Sequence, residues 1–216
     1  MRVALFTDTL GDINGVARFI RTAAHHASTQ HLPLAVFTST RKPLDPAPNI
    51  FNSPPLFARP MPLYPQLDLT LPSARSLMTA ARDFHPDLVH ISTPGPVGLI
   101  GRRFALKHSL PLLGTYHTDF PAYLAHLSRS EPLANITRDY LRWFYAPFAR
   151  VLTRSAQYEF AIEQLDIAND RIAPFPAGID LEAFNPNFAD DAIWRTIPGA
   201  RASSFKALYV GRISVE

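Results

Sequence analysis

The sequence has no cysteine, which excludes disulfides, thiolate metal sites and thiol catalysis and agrees with a reducing compartment. Lysine is scarce as well: of 21 basic residues only Lys42, Lys107 and Lys206 are not arginine. No run approaches the roughly 20 apolar residues needed to span a bilayer. The N-terminal apolar stretch is broken at Asp8, too early for a signal peptide, so a cytoplasmic location is expected. Several motifs are missing too. There is neither a Gly-x-Gly-x-x-Gly fingerprint nor a Walker loop, and no Gly-x-Ser-x-Gly elbow for a serine hydrolase. No Asp-x-Asp pair stands ready to hold a divalent cation on a sugar diphosphate. No basic run interleaved with aromatics points to nucleic acid.

What remains is a chain of 216 residues, 47% of them hydrophobic, enough to bury the core of one α/β domain with little to spare for a second. Short apolar runs fall at Val3–Thr7, Leu34–Thr38, Leu88–Ile91, Leu112–Tyr116, Val151–Thr153, Ile172–Phe175 and Ala207–Val210. Helical periodicity fills the intervals near 15–30, 72–84, 96–109, 133–149 and 156–165. Alternation of this kind predicts right-handed crossovers and a doubly wound parallel sheet, with ligands at the C-terminal ends of the strands.

Three regions carry candidate chemistry. The loop Gly11-Asp-Ile-Asn-Gly15-Val-Ala-Arg18 joins the first strand to the first helix. Its glycines and the positive end of the helix suit a diphosphate. The second strand ends in Thr38-Ser-Thr40 with no acid to hold a ribose 2′-hydroxyl, which disfavours NAD. The segment Leu112-Leu-Gly-Thr-Tyr-His117-Thr-Asp119 places His117 just beyond a central strand, with Thr118 and Asp119 beside it. His117 and Asp119 could share an ion only with ligands that the sequence does not supply, so no metal site is expected.

The third region is the aromatic helix near 133–149, with Ile136, Tyr140, Trp143, Phe144, Tyr145 and Phe148 among Arg138, Arg142 and Arg150. It reads either as an amphipathic helix packed on the domain or as an interfacial helix resting on an anionic membrane. The arginine excess likewise has two sources: codon usage in a GC-rich genome, or affinity for phosphate and anionic lipid head groups. Residues 43–72 hold nine of the 21 prolines and are expected to form no regular strand or helix, serving as a lid, a binding loop or a rigid surface arm.

Taken in order, five pieces resemble the N-terminal half of the family 4 retaining glycosyltransferases of the GT-B fold. They are Asn14-Gly-Val16; Pro86-Asp-Leu-Val-His-Ile-Ser92 with Pro94-Gly-Pro-Val-Gly98; Tyr116-His-Thr-Asp119; Phe175-Pro-Ala-Gly-Ile-Asp180 with Phe184-Asn-Pro186; and Tyr209-Val-Gly-Arg212. The resemblance implies a Rossmann-like acceptor-binding domain over residues 1–200. Residues 201–216 would be a linker and the first strand of a nucleotide-sugar-binding domain that lies beyond this chain. It also implies that Asn14, Gly15 and Val16 face the donor diphosphate, that His117 contacts the transferred sugar, and that Arg212 neutralises the leaving nucleoside diphosphate.

Tyr116-His-Thr-Asp119 and the Pro60-Met-Pro-Leu-Tyr-Pro65 arm look closest to members that glycosylate lipids. Tyr64, Tyr116, Thr118 and Asp119 are the acceptor-side candidates on that resemblance. The expected activity is metal-independent transfer of a hexose from a UDP- or GDP-linked sugar to a lipid or polyol, with retention, at the inner face of a membrane. This half alone would be inactive. The competing expectation is a binding module for a lipid head group or polyol that catalyses nothing.

Overall fold

The structure is a computed structural model that describes residues 1–61, 64–175, 178, 181–182, 184–199 and 205–210, with the backbone alone for 61 and 64–67. The described chain divides into two compact units, Met1–Phe175 and Pro176–Glu216.

The first unit is built on a parallel sheet. Its strands are β1 (Val3–Phe6), β2 (Leu34–Thr38), β3 (Ile50–Asn52), β6 (Leu88–Ile91), β7 (Leu112–Thr115), β8 (Arg150–Thr153) and β9 (Ile172–Pro174), in the order β3-β2-β1-β6-β7-β8-β9. All six ladders are parallel, with β1 pairing β2 from Val3↔Leu34 and β6 from Val3↔Leu88. Strand order reverses between β1 and β6, the switch point at which a doubly wound sheet opens its crevice. The α/β, Rossmann-like doubly wound sheet expected from the alternation is what forms.

Helices α1 (Gly15–Thr29), α2 (Ala74–Phe84), α3 (Pro96–Lys107), α4 (Phe120–Ser128), α5 (Glu131–Tyr145) and α6 (Ala156–Glu163) supply the crossovers. Their starts follow local chemistry. Asn14, Ser73, Asp119 and Ser155 each accept a backbone N–H of the first turn through a side-chain oxygen, satisfying donors that a helix leaves open. Proline occupies the first turn of α3, α4 and α5, where its missing N–H costs nothing.

The core lies on both faces of the sheet. One side joins Phe6, Phe37, Leu77, Val89, Ile91, Phe104, Leu141, Phe144, Tyr145 and Phe148; the other packs Leu5, Leu10, Ile20, Ala24 and Val36 under α1. Full burial of one such side chain contributes about 2–3 kcal/mol. From the aromatic stripe, Phe144 and Tyr145 of α5 and Phe148 just beyond it enter this core. The outward Arg142 of α5 is held by Asp139 at 2.8 Å and Asp166 at 2.6 Å, and Ile136 and Trp143 stay exposed.

Two expectations are corrected. The proline-rich segment carries three strands: β3, and the antiparallel hairpin of β4 (Phe57–Met61) and β5 (Tyr64–Leu71), with its register shifting at Pro60/Met61. A two-stranded ribbon has two free edges, and proline is tolerated where the missing N–H faces outward or at a bulge. The run Ala207–Val210 is not a strand; residues 205–210 have no regular structure, since a strand without a sheet leaves its backbone groups unpaired. In the second unit the described residues form two 3₁₀ turns, Pro186–Phe188 and Asp191–Thr196, and Lys206 lies 5.4 Å from the centre of the Trp194 ring. Helix α4 was not anticipated by the sequence pattern.

Among the described residues no helix is long and apolar enough to cross a membrane.

Candidate functional site

Every strand of the parallel sheet points its C-terminal end to one edge, so the residue that follows each strand sits there. After β7 comes Tyr116 and then His117; after β6, Ser92; after β1, Thr7 and then Asp8; after β8, Arg154; after β9, Phe175. Their side chains fall into two groups.

The first group closes a helix end. Asp8 accepts from Val97 N–H at 2.7 Å, Gly98 N–H at 3.3 Å and the Thr93 hydroxyl at 2.7 Å, while its own N–H donates to Thr93 Oγ1 at 2.7 Å. The carboxylate thus fills the positive end of α3. Burial pushes the Asp8 carboxyl above its ordinary value, against the pull of its donors. The glycines here serve that contact: a Cβ at Gly95 would fall 2.5 Å from the Asp8 carboxyl carbon, and one at Gly98 would fall 2.0 Å from the Thr93 carbonyl oxygen.

The second group is open. Asn14 caps α1 by accepting from Ala17 N–H at 2.8 Å, and among the described residues the N–H groups of Gly15 and Val16 have no acceptor. A Cβ at Gly15 would meet nothing within 4 Å, so the space beside this glycine is free for a ligand. One turn further, the Phe19 ring stands 6.5 Å from the His117 ring and 5.3 Å from Phe175, centre to centre. The Arg154 guanidinium lies 4.5 Å from the centre of the Phe19 ring.

His117 is hydrogen-bonded through Nε2 to Ser92 Oγ at 3.0 Å. Burial first, then the positive charge of Arg154, pulls its pKa down to about 3, so the imidazole is neutral near pH 7. His90 is half-buried nearby with Nε2 2.8 Å from Thr115 Oγ1, and desolvation lowers its pKa to about 4. The site is therefore an aromatic and imidazole floor beside an open helix end, with a cation on its rim.

The remaining candidates are placed as follows. Tyr116 is 2% exposed, packed against Tyr145 and Tyr158, and its hydroxyl donates to Asp119 Oδ1 at 3.2 Å. Asp119 also accepts from Ala122 N–H as the cap of α4. Thr118 lies between them and is half-buried. Tyr64 opens β5, and its side chain lies outside the described residues. So does Arg212, and of the motif from Phe175 to Asp180 only Phe175 and Gly178 are described. Among the described residues no three His, Asp or Glu side chains converge as a metal-holding group. Concavities of about 560 Å³ along Leu44–Asn52 and about 670 Å³ between α3 and Trp143 are lined by none of these residues.

Residues 13–183 match the profile of Glycosyltransferase Family 4. The chain belongs to this family. This family 4 chain is 25% identical over 202 residues to the GDP-mannose-dependent alpha-mannosyltransferase of Mycobacterium tuberculosis, covering 90% of the chain and 52% of that protein. It is 26% identical over 160 residues to sulfoquinovosyl transferase SQD2 of Arabidopsis thaliana, covering 73% and 31%. It is 28% identical over 134 residues to the alpha-monoglucosyldiacylglycerol synthase of Streptococcus pneumoniae, covering 60% and 29%.

Among solved structures, sucrose-phosphate synthase of Thermosynechococcus elongatus superposes with a TM-score of 0.62 at 15% identity, over 92% of this chain and 53% of that one. HepE of Anabaena in complex with UDP superposes with a TM-score of 0.57 at 12% identity, over 87% and 47%. The likeness is one of fold, that of the Rossmann-like half of a GT-B glycosyltransferase. The family 4 chain thus spans about half of these relatives' length or less.

Proposed function

We propose that this chain is the acceptor-side half of a retaining hexosyltransferase, moving a hexose from a UDP- or GDP-linked sugar to a lipid or polyol. The observation that carries the reading is the open α1 start at Gly15 followed, one turn on, by Phe19, whose ring lies 6.5 Å from that of a neutral His117. A helix N-terminus with unpaired N–H groups stabilises an anion such as a diphosphate, and a half-buried neutral imidazole can hold a sugar hydroxyl by hydrogen bonding without adding a second cation.

In this scheme the glycosyl–phosphate bond breaks as the acceptor oxygen bonds to the anomeric carbon from the same face. The bonding electrons leave with the diphosphate, and the diphosphate oxygen takes the acceptor's proton. Asn14, Gly15 and Val16 hold the donor phosphates, with Arg212 adding charge from beyond the described residues. Thr118 and Asp119, the latter steadied by Tyr116, lie on the acceptor side with Tyr64. No metal enters the scheme; charge stabilisation comes from backbone N–H groups and arginine. The lipid acceptor is supported by the alpha-monoglucosyldiacylglycerol synthase among the relatives, and with such an acceptor the enzyme would work at the cytoplasmic face of an anionic membrane. The donor domain would be supplied by the rest of a longer protein, so this half alone would not turn over.

The test is His117→Ala in the full-length protein, assayed by nucleoside diphosphate release from UDP-glucose and GDP-mannose with membrane lipids as acceptors. Turnover should fall by about 100-fold or more with an unchanged circular dichroism spectrum. Absence of release by the unmutated protein, with any donor and lipid, favours the non-catalytic binding module; near-normal turnover in the variant removes His117 from the reaction.

A further inference from the structure

The charges along the C-terminal edge do not balance locally. Three carboxylates lie on or near it, and each is engaged. Asp8 is taken up by the start of α3. Asp12 is bound to Lys42 at 2.6 Å. Asp119 caps α4 and accepts from Tyr116. Arg154, directly after β8, is exposed and has no carboxylate within ion-pair distance among the described residues. Its position is nevertheless defined, because the guanidinium lies over the Phe19 ring at 4.5 Å, an attractive cation–π geometry.

A guanidinium held over a ring still has N–H groups that point away from it. This suits bidentate binding of phosphate oxygens, and the fixed side chain loses little freedom when it binds. Phe19, on the same helix as the open Gly15, has its ring 6.5 Å from that of His117, centre to centre, so the fork it carries lies on the His117 side of the floor.

We propose that Arg154 is a phosphate-binding residue of the N-terminal half, holding a phosphate group of the substrate pair beside His117. The inference rests on the transferase reading for which substrate brings the phosphate, but not for the binding itself. The phosphate has two possible sources: the diphosphate of the donor, or a phosphate carried by the acceptor. Simple packing of Arg154 on Phe19 is the alternative account, and it makes no demand on the charge.

The experiment uses the 216-residue chain and two probes, inorganic pyrophosphate for the donor and glycerol phosphate for the acceptor, titrated by calorimetry into unmutated protein, Arg154→Gln and Arg154→Lys. Arg154→Gln should weaken the relevant probe about ten- to hundredfold, the usual range for losing a charged hydrogen bond, and Arg154→Lys should fall between. Loss confined to pyrophosphate assigns the donor; loss confined to glycerol phosphate assigns the acceptor; loss of both assigns a shared seat. The His117 imidazole, followed by NMR, should also titrate at higher pH in Arg154→Gln because a neighbouring cation is gone. Equal behaviour of unmutated protein and Arg154→Gln toward both probes, absence of binding by either included, overturns the proposal. Thermal melts should coincide, since Arg154 is exposed. None of these readouts needs turnover, so failure of the transferase reading would appear separately, as absence of nucleoside diphosphate release.

Discussion

At the start of α3 the Asp8 carboxylate takes two backbone N–H groups and a threonine hydroxyl; at the start of α1, four residues after Gly11, Asn14 takes one N–H and leaves two. Both helices begin at the same edge of one sheet and present the same positive dipole end. The surrounding glycines differ in the same way. Gly95 and Gly98 have no room for a Cβ, whereas Gly15 has nothing within 4 Å of one. An internal anion at α3 makes that helix start part of the scaffold. The α1 start has no internal anion, and this leaves it for a ligand. Sheet topology alone points to the switch point between β1 and β6, and Asp8 is the side chain that closes it.

The largest test of this contrast is Asp8→Ala. It leaves the buried donors of Val97, Gly98 and Thr93 without an acceptor, at about 1 kcal/mol or more each, so urea unfolding should reveal a loss of about 3 kcal/mol or more. A loss under about 1 kcal/mol would mean that water replaces the carboxylate and that α3 is as open as α1.

A smaller effect is expected from acid. The folded chain holds His90 and His117 at about 4 and about 3, below the ordinary histidine value. Between pH 6.5 and 4 the unfolded chain therefore binds protons that the folded chain refuses, and stability falls as pH drops through that window. Above pH 6.5 the contribution is fully present. For His90 alone the loss is on the order of 2–3 kcal/mol by pH 4. Urea midpoints measured at pH 7.5, 6 and 5 should decline, and His90→Gln should flatten the slope. A flat profile in the unmutated chain would place both imidazoles in water.

The smallest change in stability belongs to Gly15→Ala. The added methyl meets open space in a helical first turn, so the chain should be unchanged or gain up to about 1 kcal/mol. On the transferase reading, donor binding by the full-length protein should nevertheless weaken, by about tenfold, because the methyl would stand where a diphosphate approaches. Unaltered donor affinity would detach the α1 start from the ligand.

These contacts differ in how legible they were. Strands β2 and β6 fell at their expected bounds, because buried parallel strands are short apolar runs between helices. The β4–β5 hairpin was hidden by Pro60 and Pro65, which read as breakers but sit in an isolated ribbon. Helix α4 was obscured because its aromatic and apolar residues, Phe120 to Leu127, show little one-sidedness. Among the candidates, His117 and the Asn14–Val16 loop were singled out by position relative to a strand end, and the structure sets both at that edge of the sheet. The same rule applied to every strand would have found Asp8, Ser92, Arg154 and Phe175. What no local pattern contains is which of these would be used up internally: Asp8 reaches Val97 across 89 residues and Ser92 reaches His117 across 25.

Phe19 and Gly15 lie on one helix, four residues apart, which fixes about 6 Å of axial separation between the open N–H groups and the aromatic floor. Helix α1 therefore acts as a gauge. A ligand that seats its phosphate at one mark presents a set length to the other, and groups joined by too short or too long a spacer cannot reach both. The rigidity of a single helical turn, more than the reach of any side chain, thus becomes a length filter on what this edge can hold.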